Sequence, residues 1–142
     1  MQAQVKWCGD LKFLGTSDSG HSVIMDGNQG AHAPSPMEMV LMSVASCSSV
    51  DVVSILQKAR QPITDCVVEV SAERADTVPA VFTSIHLHFV VRGHDTSGND
   101  VSDSHVERAV KLSAEKYCSV SIMLGASVDV THSYSVEPYS PV

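Results

Sequence analysis

Positive charge is scarce in this chain: nine Lys and Arg stand against sixteen Asp and Glu, a formal net charge of -7, and the cations are scattered rather than clustered. That pattern lacks the positive field on which binding to phosphate backbones and anionic lipid rests, so nucleic acid and membrane are not expected as partners. No C-x-x-C pair occurs among the four cysteines, Cys8, Cys47, Cys66 and Cys118. No uninterrupted apolar run reaches the length that spans a bilayer, and MQAQVKWCGD lacks the apolar core of a signal peptide. A cytoplasmic location is therefore expected, where thiols are kept reduced and a disulfide belongs to redox chemistry rather than to scaffolding. Repeats are absent, and so is low complexity apart from EPYSPV at residues 137–142, a tail expected to fray.

What is present suffices for one domain over residues 1–142, since 44% of the chain is hydrophobic and can form a core without a metal or disulfides. The stretches VKW, KFLG and HSVIM, punctuated by Gly9, Asp10, Gly15 and Gly20, predict a meander of short strands. DGNQGAHAPSP, residues 26–36, is the longest Gly/Pro/Asn-rich loop. Three start signals then coincide: Ser35 at the cap, Pro36 at the first helical position and Glu38 three residues after the cap, where a capping box closes. The helix they open is expected to run to about Ala59, with Met37, Met39, Val40, Leu41, Met42, Val44 and Ala45 covering nearly every face, the signature of a buried helix.

After Pro62, CVVEVSAE and FTSIHLHFVVR predict two paired strands, the second alternating Thr83, Ile85, Leu87, Phe89 and Val91 against Ser84, His86, His88, Val90 and Arg92. Ser104 and Glu107 have capping-box spacing for a second helix with Val106, Val110 and Ser113 on one face. Tyr117, Cys118 and Ser119 break that helix or begin another, and SVDVTHSYSV predicts a last strand. Helices segregated among mostly antiparallel strands make the class α+β.

Several residues could carry chemistry. Cys47 sits about three turns inside the long helix among Ser43, Ser46, Ser48 and Ser49, beyond the reach of the helix dipole. It is either a small core residue or a thiol activated by a neighbour from elsewhere in the fold. Cys118 opens a short helix two residues from Lys116, and both features favour the thiolate, although a simple cap explains its position equally well. Glu38 is accounted for by its capping box alone. His86 and His88 have a spacing that can hold zinc, but with no third ligand in view a solvated sheet face is the expectation, and no metal or cofactor is expected. His21, His32, His94, His105 and His132 carry no distinguishing pattern, and Cys8 and Cys66 are expected to pack on strands.

SPMEMVLMSVASCSSVDVV, followed 71 positions after its cysteine by the cysteine of KYCSVSIML, resembles the OsmC/Ohr family of thiol peroxidases. Within it the likeness is to the YhfA-type OsmC-like proteins, through KFLG, the MDGN loop, DVVSILQKAR, LSAEKYCSV and THSY. The resemblance implies an α+β, mostly antiparallel fold with a long central buried helix, in an intertwined homodimer with its sites at the subunit boundary. It makes Cys47 the peroxidatic thiol and Cys118 the resolving one. It also makes Glu38 the carboxylate that holds an arginine near the reactive sulfur. The chain departs from the pattern there, because no Arg precedes Arg60 and only Lys6 and Lys12 lie before the helix. Lysine supplies charge but not the bidentate fork that grips a carboxylate. Two functions follow: a peroxidase that reduces organic hydroperoxides and is recharged by a cellular dithiol, or a non-catalytic relative that binds a small apolar or electrophilic ligand at the dimer interface.

Overall fold

The computed structural model describes residues 1–139, so the last three positions of the expected frayed tail lie outside the described residues. The chain forms two compact units, Met1–Met42 and Ser43–Val142, with the boundary inside the first helix. In the first unit β1 (Ala3–Trp7), β2 (Lys12–Ser17) and β3 (Ser22–Asp26) make an antiparallel meander in the order β1-β2-β3. Its register places Trp7 opposite Phe13 and Phe13 opposite Met25. The turn after β1 is made by Gly9 and Asp10, both at positive φ, a conformation that glycine adopts without a Cβ penalty. Strand β1 is exposed throughout, Val5 and Trp7 included.

The loop that follows is organised by a buried carboxylate. Asp26 Oδ1 accepts the Asn28 N–H at 2.8 Å and Oδ2 accepts the His32 N–H at 3.1 Å. The chain then enters α1 (Pro36–Lys58) through the expected capping box. Ser35 Oγ accepts the Glu38 N–H at 3.2 Å, and Glu38 Oε1 accepts the Ser35 N–H at 3.4 Å. The helix is less buried than its composition predicts: Val44, Ser48, Val52 and Leu56 are covered, a single stripe at every fourth residue, while Met42 and Val50 stay exposed. One chain has enough other structure to cover only one face of an all-round apolar helix. Although its apolar runs are short, α1 has a mean hydropathy of 1.9 over 18 residues and is, by length and composition, long and apolar enough to cross a membrane.

In the second unit β4 (Asp65–Arg74) pairs antiparallel with β5 (Phe82–Arg92), and β6 (Asp129–Glu137) pairs with β5 in parallel, in the order β4-β5-β6. A parallel partner needs a crossover, which α2 (Asp103–Leu112), a π-helical turn (Ser113–Tyr117) and α3 (Ser119–Leu124) supply. The alternation read in β5 holds at Ile85, Leu87, Phe89 and Val91, which are fully buried, each worth about 1.5–3 kcal/mol of hydrophobic stabilisation; it fails at Thr83, which is exposed, and at Val90, which is buried because this end of the strand is covered on both faces. Val106, Val110 and Ser113 are buried on the face expected for them, and Ala109 of α2 is buried as well. The helix starts differently from the sequence expectation. It begins at Asp103 with Ser102 at the cap and no side-chain capping bond, so Ser104 and Glu107 form no box. The Ser102 N–H instead donates to Gln61 Oε1 at 2.9 Å, a partner 41 residues away that local spacing does not reveal. Gly93 is required where the chain leaves β5, because a Cβ there would run into the Pro62 carbonyl oxygen.

Candidate functional site

The helical crossover places Cys118. Helix α2 widens into the π-helical turn, in which the Cys118 N–H donates to the Ser113 carbonyl at 2.9 Å, five residues back. Such single-turn bulges re-aim side chains and are frequent at functional sites. Cys118 then leaves helical geometry, with φ -74° and ψ 99°, and caps α3: its Sγ accepts the Ser121 N–H at 3.3 Å. The sulfur also accepts from Ser48 Oγ of α1 at 3.1 Å, across 70 residues of sequence. Ser113 completes the junction. Its Oγ donates to Asp51 Oδ2 at 3.0 Å and lies 3.4 Å from the Ser48 carbonyl oxygen.

Cys118, Ser48 and Ser113 have no exposed surface, while Cys47 beside Ser48 is half-buried; all four cysteines are free thiols. Burial pushes the Cys118 thiol above its ordinary range. The hydrogen bonds from Ser48 and Ser121 oppose that rise, and the Cys47 thiol adds to it through hydrogen bonding and charge. The two cysteines read as candidates are therefore brought together. Of the two readings left open for Cys118, the cap is present in the Ser121 bond, while desolvation, the largest influence on the thiol, works against the thiolate that the helix start and Lys116 would favour. Lys116 points its ammonium over the neighbouring Tyr117 ring, 5.8 Å from the centroid.

Glu38 lies in the first unit, in its capping box, and its Oε1 occupies the space where a Cβ on Gly30 would come within 2.6 Å. Gly30 has φ 73°, so the loop folds back over the carboxylate where only glycine fits. Among the described residues no ion pair involves Glu38, and Lys12 pairs with Asp10 at 3.8 Å.

Other candidates separate. His86 and His88 are engaged by hydroxyls on β6: His86 with Thr131 and Ser133, both at 2.7 Å, and His88 with Ser133 at 2.7 Å. Cys8 does not pack on a strand but lies exposed just beyond β1, whereas Cys66 is half-buried on β4, where burial raises its pKa. Sequence reasoning passed over two residues. Asp26 is 1% exposed, and the Asn28 and His32 N–H groups hold its carboxyl below the usual range despite burial. His132 stacks against Phe89 with ring centroids 6.3 Å apart and has a buried Nε2 with no hydrogen-bond partner among the described residues, and burial lowers its pKa. The alternation of β6 was the available signal for His132, since it put the ring on the apolar side. For Asp26 the signal was the Asp-Gly-Asn turn spacing. His132 lines a groove of about 740 Å³ in the second unit together with Lys111, Ser121, Ile122 and Tyr134.

Residues 27–133 match the family described as OsmC-like protein. The chain belongs to that family. It is 57% identical to Protein YhfA of Escherichia coli K12 over 136 residues, 96% of this chain and 98% of that protein. A hypothetical protein of Aquifex aeolicus has a solved structure with a TM-score of 0.85 and 30% identity, covering 98% of this chain and 97% of that one. The organic hydroperoxide resistance protein OsmC of Legionella pneumophila shares the fold at a TM-score of 0.68 and 19% identity, over 95% of this chain and 96% of that one. Both solved structures carry the α+β arrangement described above.

Proposed function

We propose that this OsmC-like protein is a thiol peroxidase for organic hydroperoxides, with Cys47 as the attacking thiol and Cys118 as the resolving one. The observation that carries the reading is the meeting of two thiols from elements 71 residues apart, one half-exposed and one buried. In the cycle the Cys47 thiolate attacks the outer oxygen of the O–O bond, and the alkoxide leaves and takes a proton. Cys47 becomes a sulfenic acid, and condensation with Cys118 releases water and forms a disulfide. A cellular dithiol restores both thiols. Glu38 is assigned to the site through its place at the start of α1, and Lys6 and Lys12, the two cations that precede α1 in sequence, are the candidates to replace the missing arginine.

The working unit in this reading is one OsmC-like domain in a homodimer in the cytoplasm. The exposed apolar faces of α1 support the dimer, because a second copy would cover them. The helix also carries Ser48 and Asp51, both engaged in hydrogen bonds, which suits a protein core better than lipid. The absence of an arginine before Arg60 favours a second reading, a non-catalytic binder of a small apolar or electrophilic ligand. Mass spectrometry after one equivalent of cumene hydroperoxide separates the two. The peroxidase loses two hydrogens and yields a linked Cys47–Cys118 peptide pair, whereas an unchanged mass with all thiols still titratable leaves the binder.

A further inference from the structure

Two donors converge on the Cys118 sulfur, the Ser48 hydroxyl at 3.1 Å and the Ser121 N–H at 3.3 Å. Ser48 is itself held, because its carbonyl oxygen lies 3.4 Å from Ser113 Oγ and that hydroxyl donates to Asp51 on the next turn of α1. Donors aimed at one sulfur stabilise it more as thiolate than as thiol. Cys47, one residue before Ser48, receives neither donor but keeps exposed surface, whereas Cys118 has none. Burial by itself makes Cys118 a poor leaving thiolate, and these two hydrogen bonds work against that handicap.

We propose that Ser48 is a leaving-group donor: with the Ser121 amide it makes Cys118 the sulfur that departs when a dithiol opens a Cys47–Cys118 disulfide, and so directs the reductant onto Cys47. The inference rests on the dithiol reading of these two cysteines. One thiolate of the reductant attacks Cys47 Sγ and forms a mixed disulfide. The Cys47–Cys118 bond breaks, and its electron pair goes to Cys118 Sγ, which then takes a proton. The second thiol of the reductant, once deprotonated, attacks the reductant sulfur of the mixed disulfide and expels Cys47 as thiolate. The dithiol has then lost two electrons and two protons and become a cyclic disulfide. Access and leaving-group stability select the same direction, since attack at Cys118 would require entry to a sulfur without exposed surface and would expel a thiolate that neither donor faces.

The test begins from protein oxidised with diamide, so that the disulfide forms without any hydroperoxide. Glutathione is added, the reaction is quenched with an alkylating agent, and the mixed disulfide is mapped by peptide mass spectrometry. Glutathione on Cys47 is expected; glutathione on Cys118 overturns the proposal. Reduction by dithiothreitol, followed from pH 6 to 9, is expected to be about tenfold slower in Ser48→Ala, with the rate recovered in Ser48→Thr, which keeps the hydroxyl. Equal rates in wild type and Ser48→Ala across that range would overturn it too. Adduct mapping uses the unaltered protein, so it decides the question even where a Ser48 variant fails to fold. A protein that shows the Cys47 adduct yet ignores cumene hydroperoxide loses the peroxidase reading and keeps the donor. Failure of diamide to join the two cysteines overturns both.

Discussion

Two helices of this protein begin on side-chain caps of the same spacing, and the caps differ in where their partners come from. At the start of α1, Ser35 and Glu38 exchange hydrogen bonds three residues apart, on the surface, and the motif is complete within itself. At the start of α3, Cys118 accepts the N–H of Ser121, also three residues on, but it is buried and also receives a hydroxyl from 70 residues away. The first cap satisfies orphan backbone donors within its own motif. The second does that and also holds a sulfur whose proton affinity is set by burial, by two donors and by a neighbouring thiol. A cap becomes a chemical group when the tertiary fold removes water from it and brings a second reactive atom beside it.

The largest effect expected from breaking the second cap is chemical rather than structural. Cys118→Ser replaces the sulfur with a better capping atom, so the fold should hold, with a melting temperature close to wild type. Turnover of cumene hydroperoxide should nevertheless stop after one equivalent, with a sulfenic acid at Cys47 that a sulfenic-specific reagent traps. Continued turnover would reduce Cys118 to a cap like Ser35. Cys47→Ser should abolish hydroperoxide consumption altogether, measured by peroxide assay under the same conditions.

Next in size is the junction that supports Ser48. Ser113→Ala removes the donor to Asp51 and leaves that carboxylate without the bond at a part-buried position, at a cost of about 1–3 kcal/mol in urea unfolding. A loss of a few tenths would mean that water satisfies Asp51. The α1 cap should be milder: Glu38→Ala is expected to cost about 0.5–2 kcal/mol and Glu38→Gln much less, because the amide oxygen still accepts the Ser35 N–H. Equal losses in both variants would point to a cationic partner for the carboxylate.

The smallest effects are slopes of stability against pH, and they differ in sign between the units. Cys118 has a raised pKa in the folded state, so the folded protein keeps a proton that the unfolded chain gives up. Its contribution is intact below the ordinary thiol pKa of about 8.5 and is lost as pH rises through the folded value. Asp26 has a lowered pKa, so its contribution is present above the ordinary carboxylate pKa of about 3.9 and is lost as pH falls through the folded value. Unfolding series at alkaline and acid pH should show the first slope flattened in Cys118→Ser and the second in Asp26→Asn. Unchanged slopes would assign the titrations to other groups.

Sequence alone determined whatever depends on neighbours within a few residues. The Ser35-Pro36-Glu38 start of α1, the alternation that buries Ile85, Leu87, Phe89 and Val91, and the order of strands and helices all follow from backbone hydrogen bonding and side-chain period, which are local. The start of α2 was misread because Ser102 satisfies its N–H with Gln61, far away in the chain. The cysteines were visible as candidates, but their states were not. Only the tertiary structure decided that Cys118 is fully buried and so pushed away from thiolate, that Ser48 is its hydrogen-bond partner, and that only one stripe of α1 is fully buried within its own chain. The reason is that desolvation and the donors that oppose it depend on distance in space, and a helix start reads the same in sequence whether water or a second helix lies against it.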